Sequence, residues 1–219
     1  MPLHFVFFPL AIDQAGAAIR SGLCTIDDYL TMYLEHQQQL MGHLSYEEAL
    51  SYGRAIYTTW DLSFAAIEAK AAGSDFDDAE AATSAILILQ TFAFFHHDNN
   101  IPEEIFKRAA ELPRKLEDEI NLEDSTGQAS YDLLYPLLHP SRDGSWDPLF
   151  FRDGIQVLLS FSLIRQNVIH HAYSVHPLVH CWSYDRMAAE EQQRRHFTAN
   201  LLLSQSISYE YAIEDYAFH

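Results

Sequence analysis

Apolar positions recur at steps of three and four along most of the chain, a spacing that predicts helices. Behind Pro9, Ile12, Ile19 and Leu23 share a face, Asp13 and Gln14 come early and Gly22 late, so a helix is expected over 10–21. Thr25 and Asp28 have the form of a capping box, and Ile26, Tyr29, Leu30, Tyr33 and Leu34 make the apolar face of a second helix that runs out in EHQQQ. A third follows with Ile56, Trp60, Phe64 and Ile67 in phase, ending at Gly73. The stretch SDFDDAEAATSAILILQTFAFF starts acidic and turns apolar all round, as a helix does on entering a core, and is expected to end near His96. In NNIPEEIFKRAAE, Pro102 stands where a first helical residue belongs, with two glutamates at the positive end and Lys107 and Arg108 toward the negative end.

From Leu112 to Asp147 the pattern breaks into polar, turn-rich sequence around the apolar island YDLLYPLL, which predicts a long, partly irregular connection with a helical turn at most. Ile155, Leu158, Leu159 and Ser162 then favour another core helix. The period changes next: Leu163–Arg165 and Ala172–Val175 read as two short strands around QNVIHH, so a helix is followed by a small wing-like hairpin. Pro177 starts a further helix through Trp182, and a last one carries Phe197, Leu201 and Leu202 on one side. The fold class expected is mainly α, a helical bundle followed by a winged-helix-like domain with one short β-hairpin. Its divisions fall at 1–75, 76–187 and 188–219, the last a helical extension.

Composition narrows the functions. The 219 residues are 48% hydrophobic, enough for packed cores, and 31 acidic against 13 basic residues give a net charge of -18. A phosphate backbone would be repelled, so nucleic acid is not an expected partner. Two distant cysteines, Cys24 and Cys181, form no C-x-x-C pair or disulfide framework, which fits a cytoplasmic protein. The apolar opening MPLHFVFFPLAI lacks a basic flank and is too short to span a bilayer; no membrane partner is expected.

The densest chemistry lies in HHAYSVHPLVHCW, His170 to Trp182. His176 and His180 are four apart, a spacing that puts two imidazoles on one helical face, but Pro177, Leu178 and Val179 between them leave out the glutamate of H-E-x-x-H, and no motif places a third metal ligand. G-x-S-x-G is absent, and Cys181 beside Trp182 reads as a small buried residue rather than a thiolate. Asp75, Asp77 and Asp78 belong to a helix start, so no catalytic constellation is read and no enzyme expected. His176 stands apart at the junction of a strand and a helix, where an imidazole can meet an anion.

Five segments in order, FFPLAIDQAGAAI, TTWDLSFAAI, ILILQTFAFFHHDNNIPEEIF, FRDGIQVLLSFSLI and YSVHPLVHCW, resemble the region downstream of the nucleotide-binding core in STAND-type NTPases with an NB-ARC module, especially fungal NLR-like proteins that carry tetratricopeptide repeats. The resemblance runs from about Phe8 to about Phe197. In that family a Gly-Leu-Pro-Leu motif opens a helical domain and its proline lies near the adenine; Phe7, Phe8, Pro9 and Leu10 keep the Pro-Leu pair without the glycine. A Met-His-Asp motif closes the family's winged helix, its histidine contacting the β-phosphate of ADP; Val175, His176 and Pro177 keep the histidine alone.

The resemblance therefore implies Pro9 and His176 as nucleotide-contacting residues in a signal-transduction switch. No G-x-x-x-x-G-K-[ST] occurs, so ADP or ATP is expected only with an upstream P-loop domain, and none for the chain alone. The implied partners are that domain, downstream repeats and oligomerisation partners, and the chain reads as a fragment cut at both ends. The competing reading is a ligand-free helical protein-interaction scaffold, suggested by residues 75–124, where 13 acids against 4 bases leave a net of -9. A DNA-binding winged helix would need a basic recognition helix, and DGIQVLLSFSLIRQN offers only Arg165 at its end.

Overall fold

A computed structural model describes residues 8–29, 31–32, 51–96, 100–119, 133–139 and 146–207; the side chains of 8–11, 14, 51–56 and 112–119 lie outside this description. In chain order the elements are α1 (Phe8–Arg20), α2 (Ser51–Ala71), α3 (Phe76–Phe92), β1 (Ile101–Pro102), α4 (Glu103–Glu119), α5 (Pro148–Ser160), β2 (Arg165–Asn167), β3 (Ala172–Ser174), α6 (Pro177–Asp185) and α7 (Ala189–Ser206). The protein is mainly helical, and from α3 onward its order of helix, strand, helix, helix and hairpin is winged-helix-like. No described helix is long and apolar enough to cross a membrane.

The helix ends follow from local chemistry. Asp75 caps α3 by accepting the Asp78 N–H, and Asp147 caps α5 by accepting the Leu149 N–H at 3.0 Å. Thr25 Oγ1 accepts the Asp28 N–H at 3.2 Å, so the capping box forms. Its apolar face does not wholly follow, since Ile26 is exposed; Leu30, Tyr33 and Leu34 lie outside the described residues. α1 ends in a Schellman motif with Gly22 at φ 77°, the Leu23 N–H bonding the Ala18 carbonyl. α5 ends the same way with Ser162 at φ 53°, Leu163 N–H to the Leu158 carbonyl, and this removes Ser162 from the helix that its spacing predicted.

Several boundaries differ from the sequence expectation. Pro102 is not the first residue of a helix: Ile101 and Pro102 form β1, an edge strand, where a residue without an N–H is tolerated. The hairpin thus becomes a three-stranded antiparallel sheet in the order β1–β3–β2, with Ile101 opposite Tyr173 and Gln166 opposite Tyr173 on the other side. The first hairpin strand lies at Arg165–Asn167, two residues beyond its expected place. α3 stops at Phe92 rather than His96, its end tightened by Phe94 N–H to Thr91 and Phe95 N–H to Phe92. α4 runs on past Leu112 to Glu119, and the apolar island is helical over 133–138. The polar tracts 120–132 and 140–145 lie outside the described residues.

Phe92, Phe106, Phe151 and Tyr173 bring α3, α4, α5 and β3 together in one aromatic cluster, with the Phe106 and Phe151 rings 4.4 Å apart at their centroids. Trp60, Phe64 and Ile67 of α2 are buried as their phase predicted and belong to the same buried cluster. α1 packs on α2 and α7 on α4. The inner face of α7 is Arg195, Thr198, Ala199 and Leu202; Phe197, expected inside, is exposed. Arg195 takes a core-facing position because its Nε donates to Glu191 Oε1 at 2.6 Å, one turn back.

Candidate functional site

β3 leads through Val175 into His176, the N-cap of α6, whose extended backbone (φ -62°, ψ 137°) precedes the helical turn. Its Nδ1 accepts the Leu178 N–H at 3.2 Å. Pro177 has no N–H to satisfy, so Leu178 supplies the first free donor of the helix. A ring nitrogen that accepts carries no proton, which places the proton of the neutral ring on Nε2. Burial, and after it the charge of Arg165 on β2, hold His176 below the ordinary imidazole range, because both disfavour a cation.

The wing behind this histidine is braced by residues that no motif announced. The buried Tyr173 donates its hydroxyl to Glu103 Oε2 at 2.8 Å, while Glu103 Oε1 accepts from Arg152 Nη2 at 2.8 Å and Nε at 3.1 Å. Glu103, at the start of α4, is 13% exposed, so this carboxylate ties β3, α4 and α5 together. Burial first, then its bond to Glu103, raise the Tyr173 hydroxyl far above the ordinary phenol range, and it stays a donor throughout the working pH range. The exposed positions of α5 are Leu149, Arg152, Asp153, Gln156 and Ser160, and Arg152 is already paired with Glu103.

The remaining histidines separate. His180 Nε2 donates to the Phe95 carbonyl at 2.9 Å, beyond the C-terminal end of α3, where unsatisfied carbonyls collect. His170 and His171 are exposed on the wing turn. Among the described residues no group of three His, Cys, Asp or Glu side chains is placed to hold a metal ion. Cys181 is exposed, contrary to the burial its neighbours suggested, because α6 turns Val179, Trp182 and Ser183 inward.

Beyond His176, at Trp182 and Arg186, α6 grips α2. Trp182 Nε1 donates to Asp61 Oδ1 at 3.0 Å in the interior, and Arg186 lies 3.7 Å over the Phe64 ring and 3.6 Å from Glu68 Oε1. Asp61 is 7% exposed, and its carboxylate is the feature that sequence reading missed most plainly. Pro9 stands in the first turn of α1, with its side chain outside the described residues. Among the described residues α1 packs on α2, while α6 reaches α2 through Trp182 and Asp61 and also packs on α3. The chain matches no protein-family model, no curated protein sequence and no solved structure.

The burial of His176, with Arg165 beside it, makes stability pH-dependent. A histidine whose folded pKa is depressed favours the folded state fully above the unfolded value of 6.5, and that contribution is lost as pH falls through 6.5 toward the lower folded value. His176→Asn keeps a capping acceptor but does not titrate. Urea midpoints of the wild type are expected to fall more than those of His176→Asn between pH 7 and 5, and His176→Ala to lose about 1 kcal/mol at pH 7.5. Parallel pH profiles for wild type and His176→Asn would remove His176 as the titrating group.

Proposed function

We propose that these residues form the regulatory part of a cytoplasmic NLR-like switch of the STAND type, a helical domain and a winged helix that close on ADP held by a P-loop domain outside residues 1–219. The observation that carries this reading is the geometry of His176 at the junction of wing and helix: Nδ1 accepts the Leu178 amide, which puts the proton of the neutral ring on Nε2, and burial favours that neutral form. A neutral imidazole that donates to a phosphate oxygen exists as a contact only while the domains are closed, and this gives ADP its differential affinity for the closed state. The paired Arg152 on α5, with Asp153 beside it, supports a protein-facing rather than nucleic-acid-facing helix.

In a chain carrying both a P-loop domain and these residues, His176→Ala is expected to speed release of a fluorescent ADP analogue by about tenfold. Unchanged release removes His176 from the nucleotide site. For residues 1–219 alone, calorimetry is expected to show no ADP affinity stronger than the millimolar range, since Pro9 and His176 supply only two edges of a pocket; sub-micromolar binding overturns this. A second reading, a helical protein-interaction scaffold without nucleotide, is favoured by the cap itself, which gives His176 a complete structural role with no ligand. Release that is indifferent to His176 supports that reading.

A further inference from the structure

Tyr173 and Val175 belong to the buried core, while Ser174 and His176 are only partly buried, the alternation that an extended chain imposes. His176 itself keeps an extended backbone, so the period of two runs past the end of β3. Arg165 of β2 lies directly opposite Ser174 in the antiparallel register, and residues so paired carry their side chains on the same face. Strand pairing therefore sets a guanidinium, a hydroxyl and an imidazole on the outer face of the wing.

All three are donors. His176 Nδ1 is engaged by the Leu178 N–H, and neither its Nε2 nor the Ser174 hydroxyl has a hydrogen-bond partner among the described residues. Arg108, Arg152, Arg186, Arg194 and Arg195 each pair with a glutamate. Arg165 is exposed and has no carboxylate partner among the described residues. The sequence gives the reason: from Gly154 to Tyr184 no aspartate or glutamate occurs, in a chain of net charge -18. Glu103 reaches the sheet from α4, but its carboxylate is engaged by Tyr173 and Arg152, and Tyr173 points to the core face. Burial first, then the Arg165 charge, keep the His176 ring neutral, so it donates without adding a second cation.

We propose that Arg165, Ser174 and His176 form one oxyanion site that holds a phosphate group, with Arg165 as its charged ligand. A guanidinium fork meets two oxygens at once, and the hydroxyl and the imidazole N–H serve the others. Three donor groups exceed what the two oxygens of a carboxylate place in one direction, and they suit the three free oxygens of a terminal phosphate. Only the identity of that phosphate, the diphosphate end of ADP, rests on the switch reading above.

Two-dimensional NMR of the 219-residue chain, titrated with inorganic phosphate, reads the site directly. At about 150 mM salt, charges more than about 8 Å apart are largely screened, so the acidity of the whole chain does not mask a local contact. The Arg165 Nε–H and His176 ring signals are expected to shift with a Kd of about 1–10 mM, to move likewise with ADP, and to stay still with adenosine. Arg165→Gln should weaken phosphate binding about tenfold, and Ser174→Ala about threefold, with unchanged near-ultraviolet circular dichroism. Arg165→Lys should restore only part of the loss, because an ammonium lacks the fork. The site is overturned by signals that stay still at tens of millimolar phosphate, by Arg165→Gln binding as the wild type does, or by shifts spread alike over Arg108 and Arg194. A short DNA duplex that moves the same signals at lower concentration than ADP assigns the wing to a nucleic-acid backbone and overturns it equally. The switch reading fails separately: in a chain with a P-loop domain, ADP release that ignores Arg165→Gln, while phosphate still binds residues 1–219 through Arg165, removes the switch and leaves the oxyanion site standing.

Discussion

Trp182→Ala is expected to lower stability by about 4–8 kcal/mol, since truncating a buried tryptophan costs about 3–5 and a buried acceptor that loses its donor about 1–3 more. The indole of Trp182 is fully buried, edge-on to Phe64 with centroids 5.8 Å apart, 5.7 Å from Trp60, and bonded to Asp61 at 3.0 Å. Its removal opens a cavity between α2 and α6 and strips the donor from Asp61. Trp182→Phe separates the two effects. It keeps most of the packing and loses the N–H, so about 1–3 kcal/mol is expected from that variant. Urea unfolding measures both. A phenylalanine variant as damaged as the alanine one would show that the hydrogen bond, rather than the ring, holds the seam, and an alanine variant losing under about 2 kcal/mol would show that α6 is not gripped there.

Gly154→Ala carries the second large effect, with an expected loss of about 3 kcal/mol, at the top of the range for overpacking. A β-carbon at Gly154 would lie 2.7 Å from Ser84 Cβ and 2.8 Å from Ala85 N, closer than such atoms approach one another. The obstacle is partly backbone, so rotating one side chain does not relieve it. The helices meet this closely because Ser84 Oγ donates to the Phe150 carbonyl at 2.8 Å, one turn before Gly154. Alanine's better helix propensity returns only about 1 kcal/mol. Pairing Gly154→Ala with Ser84→Gly clears the Ser84 side chain and should recover part of the loss, a coupling that a double-mutant cycle in calorimetry reads directly. An unchanged melting temperature for Gly154→Ala would mean that α3 and α5 stand further apart in solution.

Those two sites illustrate what was legible in the sequence. The helices were, because their starts are written in single residues: Asp75, Asp147 and Pro177 each occupy the position that local chemistry requires. The junction at His176 was legible too, as a strand giving way to a proline-started helix. Gly154 was not, since an isolated glycine inside a helical pattern says nothing of the helix that will press on it. β1 was hidden because two residues carry no period and Pro102 points to a helix start. Phe197, which its spacing put on the apolar side, is exposed while Arg195 is buried, since polarity predicts burial only until a carboxylate such as Glu191 stands within reach. Ser162 ended α5 without the glycine that marks such an end. The Glu103 brace and the Asp61 bond join residues 70 and 121 positions from their partners, and no local pattern contains them.

The third strand also governs when this protein can become itself. β1 is complete at Pro102, yet its partner β3 begins at Ala172. On a ribosome, α3 and α4 are made and free to coil while Ile101 waits for Tyr173, and the sheet closes only after that long span of chain has emerged. Helices formed from neighbours should appear early, and the antiparallel pairing should be the slow step that commits the molecule to its native form.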